Sequence, residues 1–313
     1  MNRPMARRQF LQIAPTAAAM GAGLSMAASG PAQDHPQGVD ADNVKTPRLY
    51  PGCCAYSYDP IFKRGQMTLE EFIRKAVELR LDAADMTVYY LKSADPAYLA
   101  DLRHLAYKHA LAFSGAACGV SMVQADPAQR AQALTDIKNW VDVADHLGAS
   151  HLRVFAGKLH AGVALPQSID WVVDAMKAVS DYSGKKGITI GLEDHAGVTQ
   201  SAPVCLEIMR RVNSPYAGIN LDITHFIPTP DQDGYAQIAS CIPYATNTHI
   251  RDHFDDGTPI DMDRVWRMFA DAGYKGYMLA EYEAKYAGGE DPMTGVPKLV
   301  AKIRALCQKH SSV

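Results

Sequence analysis

The chain has 313 residues, of which 48% are hydrophobic and 21% charged, with a net charge of −3. That is a globular composition with room for one large domain or two ordinary ones, and it argues against a disordered or collagen-like chain. A mildly acidic protein draws in no polyanion through its net field, so nucleic acid is not an expected partner.

The first segment reads as a leader. Arg7-Arg8-Gln9-Phe10-Leu11 precedes an uncharged apolar run to Ala28, followed by small residues and a polar Pro/Gly/Asp stretch. A basic region, an apolar region and a small-residue exit are the parts of a secretory signal, and the paired arginines resemble the twin-arginine type. Residues 1–29 are therefore expected to be a signal peptide, 30–46 a polar linker and 47–313 the catalytic domain, working in the periplasm or otherwise outside the cytoplasm. Loss of residues 1–29 removes Arg3, Arg7 and Arg8 and no acid, taking the charge from −3 to −6. The apolar run is Ala/Gly-rich and short for a span, so no stable membrane span is expected after processing. The six cysteines form no CxxC pair. They read as reduced small hydrophobes, with Cys53 and Cys54 semi-buried.

From Leu49 onward, short apolar runs alternate with helical patterns. Strands are expected at 49–56, 82–88, 112–118, 151–156, 188–193, 217–222, 246–251 and 277–282. Helices are expected at 68–79, 96–109, 127–147, 166–183, 203–212, 234–241, 261–272 and 292–308, several with Pro in the first turn. Thr68-Leu69-Glu70-Glu71 looks like a capping box. Eight strand–helix units in one domain predict an α/β fold, a (β/α)8 TIM barrel. An open doubly wound sheet would need a Gly-rich turn after the first strand, where Cys53-Cys54-Ala55-Tyr56 stands.

Catalytic residues of such barrels lie at the C-terminal strand ends. Glu193, Asp222, His249 and Glu281 are separated by 29, 27 and 32 residues, each close to one strand–helix unit. Four ligand-type residues therefore converge on one mouth. Three carboxylates and an imidazole make a hard, oxygen-rich set suited to Mn²⁺, Mg²⁺ or Co²⁺, with Zn²⁺ also possible. The alternative is that these carboxylates are solvated strand ends or pair with Arg251. His195, two residues after Glu193, shares its side of the strand and reads as a substrate contact or a structural histidine. Lys158, beside Arg153 at the fourth strand end, and Asp85, on the second strand, are weighed as substrate contacts. Tyr56 and Tyr58 are candidates to stack on a sugar ring.

This layout, above all the segment His249–Glu281 with Gly273-Tyr274-Lys275-Gly276-Tyr277, resembles the xylose-isomerase-like sugar isomerase/epimerase superfamily. The resemblance implies that Glu193, Asp222, His249 and Glu281 hold a divalent metal and that Glu193 and Glu281 exchange protons with the sugar. It also implies that His225, in an Asp-x-x-His pattern with Asp222, meets a substrate hydroxyl. Ketose 3-epimerases of this group carry a second Glu where this chain has Thr199 and an Arg where it has Asp255, a role Arg251 could partly fill. The expected function is a metal-dependent isomerase or epimerase acting on a small neutral carbohydrate. A lyase cleaving 3-keto-glycosides by β-elimination and a non-catalytic carbohydrate-binding barrel are the alternatives. A phosphodiester-cleaving relative would need histidines on early strands, where Asp85 and Cys118 stand. By analogy of fold, a homo-oligomer is possible.

Overall fold

The computed structural model describes residues 46–311. The expected signal, and all but the last residue of the expected linker, lie outside the described residues. Eight strands follow in order: β1 (Arg48–Cys54), β2 (Ala83–Thr87), β3 (Ala112–Ser121), β4 (His151–Phe155), β5 (Thr189–Glu193), β6 (Ala217–Asp222), β7 (Ala245–His249) and β8 (Lys275–Ala280). Each pairs in parallel with its sequence neighbour from β1 to β7, and β8 returns to pair with β1. No regular ladder joins β7 to β8. That seam is closed by Ile250, bridging to Ala280, and by the Thr248 hydroxyl, which donates to the Tyr277 carbonyl at 2.9 Å.

The helices are α1 (Asp59–Lys63), α2 (Leu69–Glu78), α3 (Pro96–Lys108), α4 (Pro127–Leu147), α5 (Leu165–Gly184), α6 (Ala202–Val212), α7 (Gly234–Cys241), α8 (Met262–Asp271) and α9 (Pro292–His310). Their starts follow local chemistry. Thr68 and Glu71 close the predicted capping box on α2. Asp followed by Pro begins α3, α4 and α9, the carboxylate accepting a backbone N–H and the proline filling a position that needs no donor. The helices pack their apolar faces on the barrel, forming one core that runs through all eight strands. The short α1 was not expected. Elsewhere the boundaries differ from expectation by a few residues, most at β3, which runs on to Ser121, and at β7 and β8, which end two residues early. All six cysteines are free, and Cys53 and Cys54 are fully rather than partly buried. Among the described residues no helix is long and apolar enough to cross a membrane.

The inside of the barrel departs from the branched apolar filling usual for this fold. Asp85, His151, Asn220 and Asn247 are buried there. His151, from the start of β4, reaches the Thr246 hydroxyl near the start of β7 at 3.1 Å. Two glycines make the room. A β-carbon on Gly191 would fall on the His151 ring, and one on Gly115 would lie 2.9 Å from Asp85 Oδ2 and 3.1 Å from His151 Nδ1. Gly191→Ala should therefore destabilise the barrel by about 1–3 kcal/mol and lower Tm by several degrees, which a thermal melt reads directly. An unchanged melt would mean that the His151 ring yields without loss.

Burial holds the His151 imidazole down at about 3, so it is neutral in the folded protein. An unfolded histidine protonates near pH 6.5. Above that pH both states are neutral. Below it the unfolded chain gains a proton that the folded one refuses, and stability falls by roughly 1.4 kcal/mol per pH unit toward pH 3. Urea unfolding between pH 6 and pH 4 should show His151→Gln lacking about one proton of pH dependence relative to wild type. Equal slopes would place the imidazole in contact with water.

Candidate metal centre and active site

Strand alternation brings β5 to β8 to the mouth with Glu193, Asp222, His249 and Glu281 pointing inward, all buried. One donor atom from each lies within 4.8 Å of the others. His249 Nδ1 stands 3.2 Å from Glu281 Oε1 and 3.7 Å from Glu193 Oε2. Neither nitrogen of His249 nor Glu193 Oε2 makes an aligned hydrogen bond, although all three atoms are buried. Buried polar atoms with so little hydrogen bonding are uncommon, and three carboxylates and an imidazole gathered at one point suit a divalent cation.

The ligands are held from behind. Asp222 Oδ1 accepts from the Thr224 N–H at 2.9 Å and from its hydroxyl at 2.5 Å, which leaves Oδ2 for the site. Asp194, unremarked in the sequence, accepts the Asp222 N–H at 2.8 Å and anchors the end of β6 to β5. Arg153 Nε lies 2.9 Å from Glu193 Oε2. Burial pushes the Glu193 carboxyl up, but Arg153 and His249 outweigh it and hold it down at about 2. Glu281 has no such partner. Burial, reinforced by the charges of Glu193 and Asp222, lifts it to about 7 despite His249.

Above this layer is a cavity of about 210 Å³, walled by Tyr56, Tyr89, Phe155, His195, His225 and Lys285. His195 packs edge-on against Phe155 and His225 at 4.9 and 4.7 Å between ring centres. His225 donates from Nδ1 to Asp255 at 2.6 Å, while its Nε2 stands 3.2 Å from Asp222. Burial lowers the His225 affinity for a proton, but Asp222 and Asp255 outweigh it and raise the affinity above that of a free imidazole. His195 and His225 thus sit where a substrate contact would be.

Three other candidates lie elsewhere. Arg251 is buried behind the layer, among the loops that follow the strands. It bonds Glu283 at 2.7 Å and Asp255 at 2.9 Å, touches Thr224, and lies 3.5 Å from Asp222, so it braces ligands rather than lining the cavity. Asp85 is buried one level down, its oxygen within 4.8 Å of donor atoms of Cys54 and His249. Lys158 is exposed in the loop after β4 and is not part of the wall. Tyr56 lines the wall, whereas Tyr58 is fully buried in the core. Thr199, at the position of the epimerases' second glutamate, is buried, donates to the Glu193 carbonyl at 2.9 Å and accepts the His195 N–H at 3.2 Å. It shapes the turn after β5 and offers nothing to a ligand. Arg153, Lys285 and Tyr89 are wall residues that the sequence reading left without a role.

The profile of the xylose isomerase-like TIM-barrel family matches residues 73–306. Among solved structures, D-psicose 3-epimerase in the presence of D-fructose is 14% identical, with 83% of this chain and 99% of that chain covered at a TM-score of 0.66. The 3-keto-D-glucoside 4-epimerase of E. coli is 15% identical over 83% and 99%, at 0.64. The IolI protein with a bound zinc atom is 15% identical over 85% and 100%, at 0.67. At these identities the likeness establishes the fold. A search of curated proteins by sequence finds no significant match.

A cation held here should stabilise the folded state. At a hundred times its dissociation constant it adds about 2.7 kcal/mol, so Mn²⁺ added to chelator-treated protein should raise Tm by several degrees. His249→Ala should abolish the rise and Lys158→Ala should keep it. No rise in the wild type would remove the cation from the site.

Proposed function

Because the chain belongs to the xylose isomerase-like TIM-barrel family, we propose that it is a divalent-cation-dependent isomerase or epimerase that moves a carbon-bound proton on a neutral sugar or sugar derivative. One observation carries this reading. Glu193 and Glu281 both lie within 4 Å of His249 Nδ1 and both line a cavity of single-sugar size. The likeness to two sugar epimerases, one of them acting on a 3-keto-glucoside, supports the substrate class. The oxygen-rich donor set favours Mn²⁺ over a softer ion. The arginine pair and apolar run at the start of the chain support a site of action outside the cytoplasm, where phosphorylated sugars are scarce.

A proton beside a carbonyl is too weakly acidic for an isolated carboxylate to remove. A divalent cation held by Glu193, Asp222, His249 and Glu281 would supply Lewis-acid stabilisation of the negative charge that develops on the substrate oxygens. One glutamate takes the proton from one face of the sugar and the other returns a proton on the opposite face, inverting the centre. Arg153 steadies Glu193, His225 and Lys285 meet hydroxyl or carbonyl oxygens, and Tyr56, Tyr89 and Phe155 cover the apolar face of the ring and keep bulk water out. The same base could instead act beside a keto group of an oxidised glycoside and expel the aglycone. The placement of Thr199 and Asp255, both turned to structural bonds where the epimerases carry Glu and Arg, favours keeping that lyase reading open.

The test is deuterium uptake from D₂O into ketoses, aldoses and 3-keto-glycosides with the Mn²⁺-loaded protein. Uptake at one carbon, abolished by chelator, is expected. Glu281→Gln should lower it by roughly 10²–10⁴-fold while Tm stays within a few degrees of wild type. A released alcohol or phenol would identify the lyase, and silence across the panel would leave a binding barrel.

A further inference from the structure

The catalytic cavity, at about 210 Å³, is smaller than the roughly 300 Å³ at which ligand pockets usually begin. It holds one sugar ring. It does not end there. His225 also lines a second cavity of about 380 Å³, built by the loops after β5 and β6 and the start of α7, and the two share that imidazole as a common wall. His195 faces the first cavity and its neighbour Ala196 the second.

The second cavity has a definite chemistry. Gln200, Ser201, Thr229 and Gln232 line it beside Phe226 and Ile227. Ser201 stands at the N-cap of α6, yet its hydroxyl caps nothing. The side chains of Gln200 and Thr229 likewise carry no hydrogen bond, and Gln232 uses only its carbonyl oxygen, which accepts from Gln237 at 3.3 Å. These are uncommitted neutral donors and acceptors beside an apolar surface, the set that hydroxylated rings require. No Lys or Arg lines the cavity, and its one carboxylate, Asp255, is already paired with Arg251 and His225. A phosphate would meet no lysine or arginine there. The cavity on the other side of the site, near Tyr56, offers less. Its charged groups are paired among themselves and their neighbours, Asp59 with Lys63 and Glu283 with Lys285 and Arg251.

Building on the proton-transfer reading above, we propose that the substrate is a neutral glycoside of at least two sugar units. Its reacting ring occupies the cavity over Glu193 and Glu281, and its second ring lies beyond His225 against Gln200, Ser201, Thr229 and Gln232. The loops that follow β5 and β6 select that second unit. The metal layer on the strands acts only on the first.

The experiment compares a methyl 3-keto-glucoside with a 3-keto-disaccharide on the Mn²⁺-loaded full-length protein, in wild type and in the double variant Gln200→Ala/Ser201→Ala. Deuterium uptake should show kcat/KM at least tenfold higher for the disaccharide. The variant should lose about tenfold on the disaccharide, through KM and with kcat retained, since two neutral hydrogen bonds together are worth about one order of magnitude. The one-ring substrate should change less than twofold. Equal rates for both substrates, or an equal loss on both, would overturn the second subsite. If neither substrate exchanges deuterium, the proton-transfer reading falls by itself, and calorimetric titration of the same two sugars still decides the subsite. Tighter disaccharide binding that the variant abolishes upholds it, and equal or absent binding overturns it.

Discussion

Glu193, Asp194, Asp222 and Glu281 are all buried at the ends of three strands, β5, β6 and β8, and the rest of the barrel mouth is arranged around that concentration of negative charge. A carboxylate taken from water without a partner is strongly disfavoured. Two buried guanidiniums answer it, Arg153 beside Glu193 and Arg251 beside Asp222, and His225 also stands against the latter. Glu281 is left with the histidine it shares with Glu193. The compensation is therefore unequal, and the two glutamates experience different fields although they stand in one layer. A divalent ion bound there would supply the charge that the protein itself withholds, and the arrangement suits a cation site better than a stabilising network.

The polar layer beneath follows from the same constraint. Ligands that must not shift need backing, and a wholly apolar interior would leave His249 without a polar neighbour below. Asp85, Cys54, Asn247 and His151 provide those neighbours, and Gly115 and Gly191 provide the space. Several atoms there, including both polar atoms of the Asn220 side chain, lack a protein partner. Buried polar atoms without partners cost stability, so this region is shaped for the site above more than for maximal stability.

Much of this could be read from the residue order because a parallel barrel repeats. Period-2 alternation places every second residue inward, and one strand–helix unit separates one strand end from the next, so the spacing of Glu193, Asp222, His249 and Glu281 already implies convergence. What spacing cannot convey is depth. Asp85 and Arg251 have the right chemistry and strands, but one lies a level below the ligands and the other behind them, a difference set by barrel stagger. Lys158 is close in sequence to a strand end, yet a loop side chain follows its loop. Arg153 carried a usable signal that was left unweighed: a guanidinium two residues before the end of an otherwise apolar strand, flanked inward by His151 and Phe155, has no solvent to reach. Asp194 gave none, since its role is to accept one backbone N–H from the next strand.

Thr199 and Asp255 show where divergence enters. Both sit in loops after strands, and both are engaged in positioning the residues that face the cavity. Thr199 shapes the turn carrying Glu193 and His195, and Asp255 holds His225 and Arg251. A side chain that turns back to brace its neighbours vacates the volume it would otherwise fill, and the opening beside His225 lies between these two loops. Strand ends set what chemistry the barrel can perform, whereas the loops set the shape of what reaches it.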